Sequence, residues 1–220
     1  MINANVNSKN LSSRNRSVQS AFRKQQIIEA TFDCIDELGL SQTTLASIAR
    51  KAGVSQGIVV FHFRSKDALL EKALQFLSDE YGKCWQSAIA EAPDSPACQL
   101  KALVNAAFTP AICNRKKISV WYAFWGESRS RPKYQQLCGE QDRQFSETLQ
   151  SICEQIEGSR QARLPAKTAA LSIEGMIDGL WQNFLIGKPG FKRRQAIQAI
   201  DELIEIIYPD QSKEYTTAPN

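Results

Sequence analysis

The chain has 220 residues, 43% of them hydrophobic, and a net charge of +4 with a single histidine. That length and apolar content can supply one large or two small buried cores, while no apolar run approaches the roughly 20 residues that cross a bilayer. Residues 102–108 are interrupted at Asn105 and followed by Pro110, and residues 1–19 are rich in Asn and Ser without an apolar signal core, so a cytoplasmic protein with no membrane partner is expected.

The charge is unevenly placed. Residues 1–78 carry ten Lys or Arg against six Asp or Glu, and the remainder carries 17 of each. All the excess positive charge therefore sits in the first third, which suits a module that meets phosphate joined to one that does not. A solvated tail accounts equally for the basic residues between 9 and 16, and residues 1–16 are expected to form a flexible basic arm.

A first helix is predicted over residues 17–38, with Ile28, Phe32, Ile35 and Leu38 at helical spacing and Gly39 as its stop. Leu45, Ile48, Ala49 and Ala52 then recur every three or four residues, and Gly53 ends that segment by taking a left-handed turn. Ser55 offers a capping hydroxyl to a short helix carrying Gln56, Val59, Val60 and His62, in which Ile58 and Phe63 are expected to pack inward. Ser65 repeats the capping signal before Lys66, Asp67 and the apolar series Leu69, Leu70, Ala73, Leu74 and Leu77. Two short helices hinged at a glycine make the arrangement that a DNA-reading helix-turn-helix requires. The expected boundaries are residues 17–64 for that domain and 65–90 for a connecting helix.

Pro93 and Pro96 mark the clearest loop. Beyond it helices are predicted over residues 97–108, 116–128, 133–157, 165–186 and 192–207, within a regulatory and dimerisation domain at 97–208 and before a flexible tail at 209–220. No alternation of apolar and polar residues suggests a strand. The last two helices have broad apolar faces: Ile173, Ile177, Leu180, Trp181, Phe184 and Leu185 on one, Ile197, Ile200, Leu203, Ile204 and Ile207 on the other. Such a hairpin can complete a monomer core or pair with its twin as a homodimer interface.

Cys34, Cys84, Cys98, Cys113, Cys138 and Cys153 form no CxxC pair, and His62 has no neighbouring ligand set, so reduced thiols without a metal or cofactor are expected. Nor is there a Ser-His-acid set or a phosphate-cradling glycine loop, which weighs against an enzyme.

Residues 43–70, TTLASIARKAGVSQGIVVFHFRSKDALL, resemble the DNA-binding region of TetR-family repressors through Thr43 and Thr44, Ile48 and Ala49, residues 52–55, Gly57, residues 61–63, and Ser65 with Lys66. SVWYAFWGES at 119–128 and IDGLWQNFLIGKP at 177–189 are similar to the regulatory domain of BetI-type repressors. The resemblance implies an all-α homodimer: an N-terminal three-helix helix-turn-helix domain plus a C-terminal helical ligand-binding and dimerisation domain. It also implies a palindromic double-stranded DNA operator and a small-molecule inducer.

Carried across position by position, Thr43 and Thr44 open the supporting helix, where hydroxyls and amides meet phosphate. Ser55, Gln56, Gly57, Val59, Val60, Phe61 and His62 form the recognition segment. Within it Gln56 suits adenine, Gly57 allows close approach, and Val59 or Val60 suits a thymine methyl. Lys66 neutralises a phosphate. Phe61 and His62 depart from the family, which more often has His and Tyr there, so an imidazole replaces the phosphate-binding phenol. A structural histidine covering the three-helix core is the competing role.

BetI-type repressors respond to choline, and quaternary ammonium groups bind over aromatic faces. Trp121, Tyr122, Trp125 and Trp181 are therefore the candidate ligand residues, with Glu127, Glu174 and Asp178 as counter-charges; ordinary core packing is the alternative. A helical interaction protein without specific DNA binding, or an enzyme, are the competing functions.

Overall fold

Local chemistry sets the helix boundaries around the helix-turn-helix. Thr44 Oγ1 accepts the Ser47 N–H at 3.1 Å while the Thr44 N–H donates to Ser47 Oγ at 2.9 Å, a reciprocal cap. Gly53, at a φ of +63°, turns the chain, and Ser55 Oγ accepts the Ile58 N–H at 3.4 Å to open the next helix. In the computed structural model, residues 4–159, 161–187 and 190–209 are described, without the side chains of 4–16 and 138. Every regular element among them is a helix: α1 (Ala4–Leu38), α2 (Leu45–Lys51), α3 (Gln56–Phe63), α4 (Lys66–Glu91), α5 (Pro96–Ala107), α6 (Arg115–Ser128), α7 (Pro132–Ser159), α8 (Ala166–Leu185) and α9 (Arg193–Ile207).

The later helices match their predicted bounds to within about two residues. α1 differs: its backbone is helical from Ala4, so helix replaces most of the expected flexible arm, and residues 1–3 lie outside the described residues. The tail expected to be flexible lies outside them from residue 210. The chain divides into two compact units, Met1–Ala73 and Leu74–Asn220. Their boundary falls within α4, where the sequence suggests one connecting helix.

In the first unit α2 packs on α1 and α3, burying Ile27, Phe32, Ile35, Ile48, Val59, Phe63, Leu69 and Leu70. Gln26 Nε2 donates to the Ala52 carbonyl at 2.8 Å, tying α1 to the end of α2 and satisfying a carbonyl that the helix leaves free. Two expected core positions are corrected. Leu38 is exposed at the end of α1, and Leu40 is buried just beyond it. Ile58 is exposed because Val59 and Phe63, four residues apart, take the inward face of α3, and one residue along a helix turns the side chain by roughly 100°.

In the second unit α7 packs against α5, α6 and α8, and α8 also meets α6 and α9. Its core includes Leu100, Leu103, Phe124, Leu149, Ile173 and Ile200. The α8 and α9 faces are shared: Ile177, Trp181, Ile204 and Ile207 are buried in their own unit, while Leu171 and Ile206 stand exposed. Cys34, Cys84, Cys98, Cys113 and Cys153 are free; the side chain of Cys138 is outside the described set. Among the described residues no helix is long and apolar enough to cross a membrane.

Ile48→Ala is expected to lower the unfolding free energy by about 2–5 kcal/mol and Ile58→Ala by less than about 1 kcal/mol, read by urea unfolding. Equal losses would contradict the observed rotation of α3.

Candidate functional site

Two surfaces carry the residues that the sequence singles out. On the first unit the capped starts of α2 and α3 leave Thr44, Ser55, Gln56 and Gly57 exposed. Thr43 does not join them as a side chain: it is fully buried, and its hydroxyl donates to the Gly39 carbonyl at 2.8 Å. Val59 is likewise withdrawn into the core, so of the two valines only Val60 faces outward, followed by Phe61 with 81% of its surface exposed. Lys66 lies half-exposed at the start of α4.

His62 is half-buried and stacks edge-on to Phe61 at 5.2 Å. Loss of hydration, then the charges of Lys24 and Arg23, hold its pKa below the ordinary imidazole value. Both effects favour the uncharged ring, which can donate one hydrogen bond and accept another.

The second surface is a partly enclosed cavity of about 120 Å³ in the second unit. Helical spacing builds its walls: Trp121 and Trp125 from α6, Gln141 and Phe145 from α7, Ile177 and Trp181 from α8, each pair four residues apart, with Tyr81 from α4. Tyr81 packs against Trp181 at 5.4 Å and Phe145 at 5.7 Å, and Trp121 lies 5.8 Å from Trp125. Trp181 Nε1 donates to the Ala107 carbonyl at 3.0 Å, which orients the indole.

Three carboxylates share this wall: Asp142, Glu174 and Asp178. Ser146 Oγ donates to Glu174 at 2.6 Å. Asp142 is pushed up to about 6 by loss of hydration and then by the charges of Asp178 and Glu174. Asp178 is pushed up to about 6 by loss of hydration and by Glu174. Perturbed carboxyls in a cleft occur at functional sites more often than elsewhere, which makes this cavity the candidate site. Trp125 Nε1 and Gln141 Oε1 are buried without a partner in the protein, one donor and one acceptor. A Cβ on Gly82 would fall 2.7 Å from Gln141 Oε1, so this glycine leaves room for the amide.

The cavity thus gathers three of the four candidate ligand residues. Tyr122 is not on its wall; it donates to the Asp178 carbonyl at 3.0 Å and braces α6 against α8. Glu127 is spent on Arg131 and Ser130, whereas Glu174 and Asp178 do line the cavity. Tyr81, Gln141, Asp142 and Phe145 escape the sequence reading because α4 looks like a connector and α7 carries no aromatic cluster. Among the described residues no group of three or more His, Cys, Asp or Glu is placed to hold a metal.

Comparison with known proteins matches both halves of the chain to families. Residues 27–73 match the tetR family of bacterial regulatory proteins, and residues 96–209 match the C-terminal domain of BetI-type transcriptional repressors. The chain is 32% identical to the HTH-type transcriptional regulator BetI of Yersinia pestis (strain Pestoides F), over 83% of this chain and 91% of that one. It is 37% identical to the BetI of Stenotrophomonas maltophilia (strain R551-3), over 72% and 79%. In fold it resembles a Saccharomonospora viridis protein solved in complex with choline, with a TM-score of 0.75 and 24% identity over 84% of this chain and 96% of that one. The chain belongs to the TetR family of bacterial transcriptional regulators, with a C-terminal domain of the BetI type.

Proposed function

We propose that this regulator is a cytoplasmic repressor that binds a palindromic double-stranded operator as a homodimer and is released by a quaternary ammonium inducer such as choline. TetR-family regulators bind DNA and act as dimers, so the family supports the first half. The observation that carries the second is the cavity wall: five aromatic rings and three carboxylates, with no Lys or Arg among the lining residues. A tetraalkylammonium gains little from hydrogen bonds and much from ring faces and negative charge, and about 120 Å³ suits a small cation. The choline-bound neighbour supports the same reading.

On the DNA side Gln56 pairs with an adenine edge, and Thr44 and Lys66 meet phosphates. Neutral His62 can donate to a phosphate without adding charge. In this reading the chain binds and releases; it performs no chemistry.

Gel-shift titration of the Gln56→Ala, Lys66→Ala double variant on a bound upstream fragment should show affinity reduced about tenfold or more, with sequence preference relaxed and a shallower dependence on salt. Unchanged affinity and preference would reject this docking face.

The carboxyls predict a pH effect of definite sign. Both have a folded value near 6 against an ordinary 3.8, so the stability held by their protonated forms is present below about pH 4 and lost as pH rises through 6. Asp142→Asn and Asp178→Asn should each raise the Tm of the ligand-free protein above pH 6, with the gain vanishing toward pH 4. The same variants should weaken choline binding by about fivefold or more at pH 7.5, a loss comparable to that of a cation–aromatic contact. In the wild type, choline affinity should climb from pH 5 to pH 7.5. Calorimetry showing pH-independent affinity would remove the carboxylates from the site.

A further inference from the structure

The outward face of α3 offers the bases little hydrogen-bonding chemistry. Val59 and Phe63 are committed to the core, the Ser55 hydroxyl is engaged as the cap, and His62 is half-buried beside Arg23 and Lys24. What remains outward is Gln56, Gly57, Ile58, Val60 and Phe61. Phe61 follows Gly57 by one turn, so the two share the face opposite the core, and the space a Gly57 side chain would fill is open apart from Ser55 Oγ at 3.8 Å. A duplex can approach closely there and meet the ring.

α1 lengthens the same apolar strip. Val18 is 62% and Phe22 69% exposed, and with Ile58 and Phe61 they line an open groove of about 760 Å³. Four of the eight lining residues are exposed apolar side chains, interleaved with Gln19, Ser20, Arg23 and His62, and such a cluster marks a binding surface more than scattered exposure does. It lies in the unit that carries all the excess positive charge of the chain, with Arg23 in the groove wall, so the complementary surface is a polyanion with an apolar feature. The major groove supplies one: the C5 methyl of thymine, which no other base presents.

We infer that Phe61 and Val60 select the operator by contact with thymine methyl groups, with Gln56 supplying the hydrogen bonds to a neighbouring adenine. This rests on the DNA-reading role proposed above and adds the chemistry of its specificity: an apolar readout in place of the cationic one that arginine gives at guanine.

The test uses the full chain and a duplex that it selects from a random-sequence pool. Each thymine of a selected half-site is replaced in turn by deoxyuridine, which removes the methyl and keeps the base pairing. At one or two positions per half-site the substitution should weaken binding about fourfold, the loss expected for one buried carbon at ~0.8 kcal/mol. In Phe61→Ala or Val60→Ala the penalty at the facing position should disappear. Both side chains are exposed, so Tm should be unchanged and folding does not confound the result.

The inference is overturned if the wild type keeps sequence-preferring, salt-sensitive binding while no deoxyuridine changes affinity more than twofold. It is equally overturned if the penalties persist undiminished in both variants. Either outcome leaves the regulator reading standing and removes the thymine-methyl readout. Failure to select any sequence would remove the DNA-reading role itself.

Discussion

Burial of Val59 and Phe63 is the constraint on which the DNA-reading surface depends. A helix of eight residues does not persist alone in water, because one or two turns cannot offset the cost of nucleation. α3 exists because Ser55 caps its start and these two side chains anchor it against the core that Ile48, Phe32 and Leu69 share. Anchoring also sets rotation. With one face committed inward, Gly57, Val60 and Phe61 have no alternative but to face out. A rotation by one residue would bury Val60 and leave Val59 to the solvent.

The second unit works on the opposite principle. At the rim of its cavity stand two exposed aspartates whose pKa is raised, and Trp125 Nε1 and Gln141 Oε1 are among its buried polar atoms without a protein partner. Perturbed and unpartnered groups of this kind cluster at functional sites more than elsewhere. Trp181 shows why core packing and ligand contact are not competing descriptions of an aromatic helix face. Its indole is buried and fastened to the Ala107 carbonyl, yet it forms one wall of the cavity. Rigidity gained from the core fixes the ring face, which is what the proposed cation contact would need.

Much of the fold was legible because the signals are local. Gly39 and Gly53 do adopt positive φ, Ser55 does cap α3, and prolines stand at or beside the predicted breaks. The candidate sites were legible in part. Gln56, Gly57, Val60 and Phe61 are exposed, and Trp121, Trp125 and Trp181 line the cavity. The side chains of Thr43 and Val59 turn inward; a motif identifies a segment and does not say which of its members face the core. Nothing within their own helices distinguishes Tyr81, Asp142 and Phe145; they matter through partners on other helices.

The sequence by itself determined the helices, their caps and breaks, the basic character of the first third and the family. Hydrogen bonds and conformational preferences that act within about four residues are written directly into residue order. Only the tertiary structure decided that Ile58 faces out and Val59 in, that Tyr122 braces a helix rather than lining a cavity, and that Asp142 meets Glu174 and Asp178. Burial and the crowding of like charges depend on what packs from elsewhere in the chain, and adjacent positions on a helix with equal local propensity are separated only by that packing.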